Sequence, residues 1–353
     1  MLGAAGFVDD AVVVIDDGTI VAIEPAAGAV PDRIIAPGFV DLQVNGIDDV
    51  DCTRADGTDW YRLDELLLAQ GVTTWCPTLI TMPLDRSAAP LARIAVAMRR
   101  PAERRPHIAG AHLEGPFLGG APGAHRRDLI APVDLAWLDA LPDHVAMVTL
   151  GAEQPEAAAA IRLLVARGVL VSIGHTAATH EQVIAAFDAG AAMATHLFNA
   201  MSGLHHRDPG VVASVLTHPT AAASLIADGV HVHPLMLLLA ASALGPRRTV
   251  LVTDAVGWRS GAVGPVGLEL RDGAPRLPDG TLAGSIVTMD AAVRCLVAAG
   301  VPLDHALCAA STVPARLLGL DDRGVVEPGR RADLVVLTPD LSVEETIVGG
   351  LNS

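Results

Sequence analysis

Four side chains in this sequence stand where chemistry is expected. Glu114 in "GAHLEGPF", His175 in "VSIGHT", His196 in "MATHLF" and Asp254 in "LVTDAVG" each close an apolar segment. Singly, each has a bland explanation. Glu114 could pair with an arginine such as Arg126, either histidine could be a hydrogen-bonded core residue, and Asp254 could orient a neighbour or cap a helix. Jointly they read differently: one carboxylate and two imidazoles on a common rim make a three-ligand site with room for water, the donor set of a catalytic divalent metal such as Zn. Asp254 beside them then reads as general base and acid, taking a proton from water and later delivering it to a leaving amine.

The elements that must position these groups recur along the chain. Short apolar segments alternate with Ala/Leu-rich helical stretches: "FVDLQVNG" (39 to 46), "TTWCPTLI" (73 to 80), "HIAGAHLEG" (107 to 115) and "AMVTLGAE" (146 to 153). "VLVSIGHT" (169 to 176), "MATHLFNA" (193 to 200), "ASLIADGVHV" (223 to 232) and "TVLVTDAV" (249 to 256) follow. Near-continuous apolar strands suit a parallel sheet buried on both faces, and eight of them alternating with helices predict an α/β fold, a closed (β/α)8 TIM-like barrel. Glu114, His175, His196 and Asp254 end the third, fifth, sixth and eighth segments, so they share the C-terminal rim where barrel active sites assemble. Both termini are β-rich and predict a small β-sandwich domain from residues 1–36 and 320–353, with the barrel over 37–319. A β-hairpin insertion is expected at about 264–282, after the eighth strand.

Composition narrows the partners. Lys and Arg number 24 against 40 Asp and Glu, a formal charge of -16 that argues against nucleic acid and anionic membranes. An anionic ligand must therefore be captured by local groups. The longest apolar run, "LMLLLAASALG" at 235 to 245, is too short to span a bilayer and reads as a buried helix. The N-terminus shows neither a basic n-region nor a transit-peptide pattern, so a cytoplasmic protein is expected. Cys52, Cys76, Cys295 and Cys308 show no paired spacing and read as structural thiols. Most of the thirteen histidines, including His107, His144, His180, His218 and His305, are expected to be surface or satisfied core residues.

At its chemistry-bearing residues the sequence resembles the N-acetylglucosamine-6-phosphate deacetylases of the amidohydrolase superfamily. The motifs that carry the resemblance are "PGFVDLQVNG", "HLEGPF", "GHT", "THLFNAM", "IADGVHV", "LVTDA", "LAGS" and "ADLVVL", in that order. The resemblance implies hydrolysis of the 2-acetamido group of a sugar 6-phosphate, giving D-glucosamine 6-phosphate and acetate. It implies one divalent metal ion per subunit, Zn first with Fe, Co or Mn also fitting, held by Glu114, His175 and His196. Asp254 matches the acid/base, and His125 in "PGAH" a group that donates to the carbonyl oxygen, in a loop one residue shorter than in some relatives. Ala124, Asn199, the backbone of Ala200, His231 and the loop Leu282, Ala283 and Gly284 match substrate contacts. Arg207, flanked by His205 and His206, matches an arginine reaching the phosphate of a neighbouring subunit, which implies a homodimer or homotetramer.

The first segment departs from the binuclear amidohydrolase pattern. Where His-x-His would supply a second metal, this chain has Gln43 and Asn45, neutral amides that compete poorly with water for a metal. They mark a vacant second-metal position, and a single-metal enzyme is expected. Two other readings stand beside it: a deacetylase acting on the galactosamine epimer or another amidohydrolase substrate, and a metal-free barrel serving as a binding protein.

Overall fold

The computed structural model describes residues 1–3 and 6–352. Eight parallel strands follow one another around a barrel: β1 (Phe39–Val44), β2 (Val72–Ile80), β3 (Ala111–Glu114), β4 (Val145–Leu150), β5 (Leu170–Ile173), β6 (Met193–Ala194), β7 (Ala222–Leu225) and β8 (Thr249–Leu251). Each hydrogen-bonds to the next in chain order. Closure is made beyond the strands proper, where the Asn45 and Gly46 N–H groups both donate to the Ala255 carbonyl, at 2.8 and 3.1 Å. That seam brings Asn45 beside Asp254. This is the predicted TIM-like barrel.

The strands are buried on both faces, as their composition requires; all nine residues of β2 are enclosed. On the helix side, Trp75, Leu79, Val148, Leu150, Ile173 and Leu251 belong to the main apolar cluster. Inside the barrel, Val40, Leu42, Cys76, Met147, Met193 and Val250 form a second cluster, closed by Val313 and Ala315 of helix Thr312–Leu317. Above it lies a buried polar layer. His112 on β3 contacts Thr78 of β2 (Nδ1 to Oγ1, 3.2 Å) and Thr149 of β4 (Nε2 to Oγ1, 2.8 Å), and the chain continues through Thr195 to Ser172. These hydroxyls satisfy one another where water cannot reach, and give the site above a hydrogen-bonded floor.

The strands are shorter than their apolar segments. β6 keeps two residues of "MATHLFNA" and β7 three of "ASLIADGVHV". His175 and His196 lie two residues past their strands and Asp254 three, so of the four chemical residues only Glu114 is a strand residue. The segment 107–115 is broken at Ala109 and Gly110, where Gly110 adopts φ 148° and a Cβ would meet the His144 carbonyl at 2.8 Å.

After β8, strands β9 (Glu269–Arg271) and β10 (Ala274–Arg276) pair as an antiparallel hairpin. Both chain ends build a separate antiparallel sheet: Ile34–Pro37 pairs with β11 (Leu334–Leu337), which pairs with β12 (Val343–Val348). An N-terminal hairpin, Ala11–Asp16 with Thr19–Pro25, turns at Asp17 and Gly18, both at positive φ as a tight hairpin turn demands. Ile20, Val326, Ala332 and Leu334 form the small core between these parts. Among the described residues no helix is long and apolar enough to cross a membrane.

Candidate active site

Glu114, His175 and His196 converge at the C-terminal mouth of the barrel, each at most 5% exposed. Glu114 Oε1 lies 3.1 Å from His175 Nε2 and 3.0 Å from His196 Nε2, and the two imidazole nitrogens are 3.1 Å apart. Among the described residues this is the one cluster of three such groups able to hold a metal. Local backbone aims them. His175, His196 and Asp254 all take positive φ (49°, 31° and 49°), a left-handed turn just past the strand that swings the side chain over the barrel. For non-glycine residues each such turn costs about 1–3 kcal/mol, strain typical of functional sites.

The protonation pattern tests whether a cation fits. His175 Nδ1 is 3.0 Å from the Pro122 carbonyl, which can only accept, so Nδ1–H donates and Nε2 carries a lone pair. That lone pair faces a carboxylate oxygen at 3.1 Å with no proton to share. A cation between them removes the repulsion. Three atoms separated by 3.0–3.1 Å can also all be reached by one ion with bonds of about 2.1 Å. The residues fit one divalent metal. Burial pushes the Glu114 carboxyl up, but His175 and the imidazole hydrogen bonds outweigh it and hold the carboxyl well below the usual range. Burial and the neighbouring His125 lower the His175 imidazole to about 4, the neutral form a ligand needs.

Asp254 completes the floor. Its Oδ1 accepts from Asn45 Nδ2 at 2.7 Å and Gln43 Nε2 at 3.0 Å, while Gln43 Nε2 also donates to Glu114 Oε1 at 2.8 Å. Amide N–H groups thus occupy the ground between the two carboxylates. Asp254 Oδ2 makes no hydrogen bond among the described residues. Burial first, and then the charge of Glu114, raise the Asp254 carboxyl to about 8. A cation on Glu114 offsets that second cause and pulls the carboxyl back down.

His125 lies 4.2 Å from His175, ring centre to ring centre. Its Nδ1 is 2.7 Å from the Thr81 hydroxyl and 3.4 Å from the Thr81 N–H. Both Thr81 donors are satisfied if Nδ1 accepts, which leaves Nε2–H as a donor over the site. Arg126 does not pair with Glu114; it is exposed and binds Asp128. The histidines expected to be ordinary are so: His144, His180 and His305 each contact a backbone carbonyl or hydroxyl outside the cleft.

Asn45, Glu114, Ala124, His125, His175, His196, Asn199, Ala200, His231, Asp254 and the loop Leu282, Ala283 and Gly284 all line one cleft of about 380 Å³, of a size for a small ligand. Gln43 sits just beneath it. Arg207 is outside it, exposed, with Nη1 2.7 Å from its neighbour His206.

A family model described as "Amidohydrolase family" matches residues 34–352. The chain belongs to the amidohydrolase family. This amidohydrolase is 39% identical to an N-acetylgalactosamine-6-phosphate deacetylase of Escherichia coli O157:H7, covering 99% of this chain and 96% of that one. It is 40% identical to an N-acetylglucosamine-6-phosphate deacetylase of Bos taurus, over 90% of this chain and 82% of that protein. Among solved structures it superposes with TM-score 0.88 on a mutant N-acetyl-D-glucosamine-6-phosphate deacetylase from Mycobacterium smegmatis in complex with N-acetyl-D-glucosamine-6-phosphate, at 34% identity, covering 96% of this chain and 93% of that one.

Three residues of this amidohydrolase escaped the sequence reading. Asp228 accepts the His231 Nδ1–H at 2.6 Å and the N–H groups of Val230 and His231, fixing the ring. The i, i+3 spacing in "ADGVH" was the available signal. Glu153 accepts the Gly120 and Ala177 N–H groups, both at 2.7 Å, and the Thr176 hydroxyl, tying the His175 turn to the loop that carries His125. It closes the fourth apolar segment much as Glu114 closes the third. Arg276 lines the cleft from β10, and nothing in its local sequence marks it.

Proposed function

We propose that this amidohydrolase hydrolyses N-acetyl-D-glucosamine 6-phosphate to D-glucosamine 6-phosphate and acetate. The observation that carries the reading is the convergence of Glu114, His175 and His196 within 3.1 Å, beside an Asp254 with one free carboxylate oxygen. Glu114, His175 and His196 hold one divalent ion, Zn first, with Fe, Co or Mn as alternatives. When bound, that ion supplies Lewis acidity toward the amide carbonyl and the attacking water.

The chain's own groups do the rest. Asp254, its Oδ1 fixed by Gln43 and Asn45, takes the proton of a water at Oδ2 as the water oxygen adds to the acetamide carbon. His125 Nε2–H donates to the carbonyl oxygen as negative charge develops there. Asp254 then returns its proton to the nitrogen, the C–N bond breaks, and acetate and the free amine leave. The Leu282–Gly284 loop and Ala124 cover the sugar. Asn199, the Ala200 backbone and His231 face the phosphate, and Arg207 reaches it from the neighbouring subunit of a homodimer or homotetramer.

A second reading has its own support: the Escherichia coli relative that spans 99% of this chain acts, by its name, on the galactosamine epimer. Acetate release from both epimers, measured side by side with metal content, tests both. We expect faster release from the glucosamine substrate. Faster release from the galactosamine substrate selects the second reading, and none from either overturns both.

A further inference from the structure

The mouth of the cleft carries a cation to which the mechanism above gives no work. Arg276 ends β10, and the backbone fixes its place: Arg276 bridges Leu282, and the Ala283 N–H donates to the Pro275 carbonyl at 3.0 Å. Its side chain lines the cleft with His231 and Leu282. Nη1 donates to the Gly280 carbonyl at 2.8 Å. The remaining donors are idle. Nε is enclosed without a partner, Nη2 has none among the described residues, and no carboxylate there lies within 4.0 Å of the guanidinium. Arg100 pairs with Asp64 and Arg323 with Asp333, whereas Arg93 shares an enclosed, unpartnered Nε but rests on the Thr53 carbonyl away from the cleft. What sets Arg276 apart is its place: among the described residues it is a guanidinium without an acid that lines the cleft, in a chain of 24 basic against 40 acidic residues. Of the cleft-lining residues it is the one Lys or Arg.

A fully charged, donor-only group held this way answers to an anion. We propose that Arg276 is a phosphate contact supplied by the chain's own subunit, its Nη2 taking a phosphate oxygen of the ligand at the mouth while the acetamide lies on the floor. This rests on the reading that the cleft takes a phosphorylated sugar. Arg276 touches neither Asp254 nor the metal ligands, so it acts on binding and phosphate selectivity and leaves the bond-breaking step alone. The carbonyl of Gly280 holds the guanidinium in place beforehand, which limits the ordering cost on binding.

The test compares Arg276→Gln and Arg276→Lys with the unaltered holoenzyme, using phosphorylated and unphosphorylated N-acetylglucosamine. Gln keeps a donor for Gly280, and Lys keeps the charge. We expect Arg276→Gln to raise KM for the phosphorylated sugar about tenfold or more, in line with losing a hydrogen bond to a charged group. kcat for that substrate, and kcat/KM for the unphosphorylated sugar, should stay within roughly twofold, and Arg276→Lys should recover part of the loss. Equal losses on both sugars, or no loss on either, overturn the proposal and leave Arg276 as a fastener of the Gly280 turn. Calorimetric titration of the metal-loaded protein with inorganic phosphate is the independent arm. Phosphate binding that weakens in Arg276→Gln supports the contact even if no deacetylation is found, in which case the functional reading fails alone. Binding that is absent or unchanged by the substitution counts against the contact even in an active deacetylase.

Discussion

At the floor of the cleft, Glu114, His175, His196 and Asp254 are at most 7% exposed and descend from four different barrel strands. At its mouth, Arg276 and Gly280–Leu282 come from a hairpin insertion and the turn after it and stay half open, while Arg207 sits exposed on a loop. The floor is held by the fold: a closed sheet, left-handed turns and a buried hydroxyl layer leave each donor atom one position. The mouth is held by local contacts within a turn, such as Arg276 to Gly280 and His231 to Asp228. The difference teaches where chemistry and selectivity divide. Substitutions at the floor should remove turnover, and those at the mouth should change which ligand is bound.

The sharpest break is expected at Asp254. Asp254→Asn keeps the shape and the contacts of Oδ1 but cannot accept a proton, so kcat should fall on the order of 10³-fold, the scale of general acid–base catalysis. Metal content, read by elemental analysis, should not change. Retained activity, or metal lost with it, would remove Asp254 from its assigned role. Glu114→Gln comes next and should take metal and activity down together. Losing an outer-shell partner alone typically costs about 10–100-fold in metal affinity, so losing a ligand should cost at least that. Added Zn or Mn should restore part of the rate. Full occupancy in this variant would mean the ion sits elsewhere.

Arg207→Ala tests the proposed phosphate contact from a neighbouring subunit. KM for the phosphorylated sugar should rise about tenfold, while the unphosphorylated sugar is little affected. The unaltered enzyme should lose the same selectivity on dilution below its subunit dissociation range. An equal effect on both sugars would detach Arg207 from the phosphate.

The floor was also the part most legible in the sequence. Glu114, His175, His196 and Asp254 could be found because each interrupts an apolar run, and a polar group at the end of a buried strand needs a reason. The barrel was legible for the same cause, since parallel strands covered on both faces write themselves as continuous apolar segments. The ends of β6 and β7 were not: apolar content continues past Ala194, but regular pairing ends there, two residues before the left-handed turn at His196, and backbone twist leaves little trace in composition. Arg276 and Glu153 stayed hidden for a different reason. What matters about each is its partner, or the lack of one, across tens of residues of chain.

The smallest expected effect on turnover concerns Asp41 under the floor. Asp41 lies on β1, fully buried, its Oδ2 accepting from the Thr253 hydroxyl at 2.5 Å and its Oδ1 from the Gln43 and Thr253 N–H groups. It therefore anchors the residue before Asp254. Burial raises its carboxyl to about 7, against the pull of those three hydrogen bonds. An unfolded aspartate titrates near 3.9. With the folded value above the unfolded one, the native state holds the proton longer; Asp41's contribution to stability is complete below about pH 4 and is lost as pH rises through about 7. A difference of about three pK units is worth at most about 4 kcal/mol, as an order of magnitude. Asp41→Asn keeps the acceptor for both N–H groups, turns the Thr253 contact into one donated by the amide, and has no charge to bury. Urea denaturation of the metal-saturated protein at pH 5 and pH 8 should show the variant gaining on the parent at the higher pH, with kcat nearly unchanged. A stability gap that is flat between those pH values would mean that Asp41 does not titrate there, and that the seam between β1 and β8 tolerates its charge as easily as the open mouth tolerates that of Arg207.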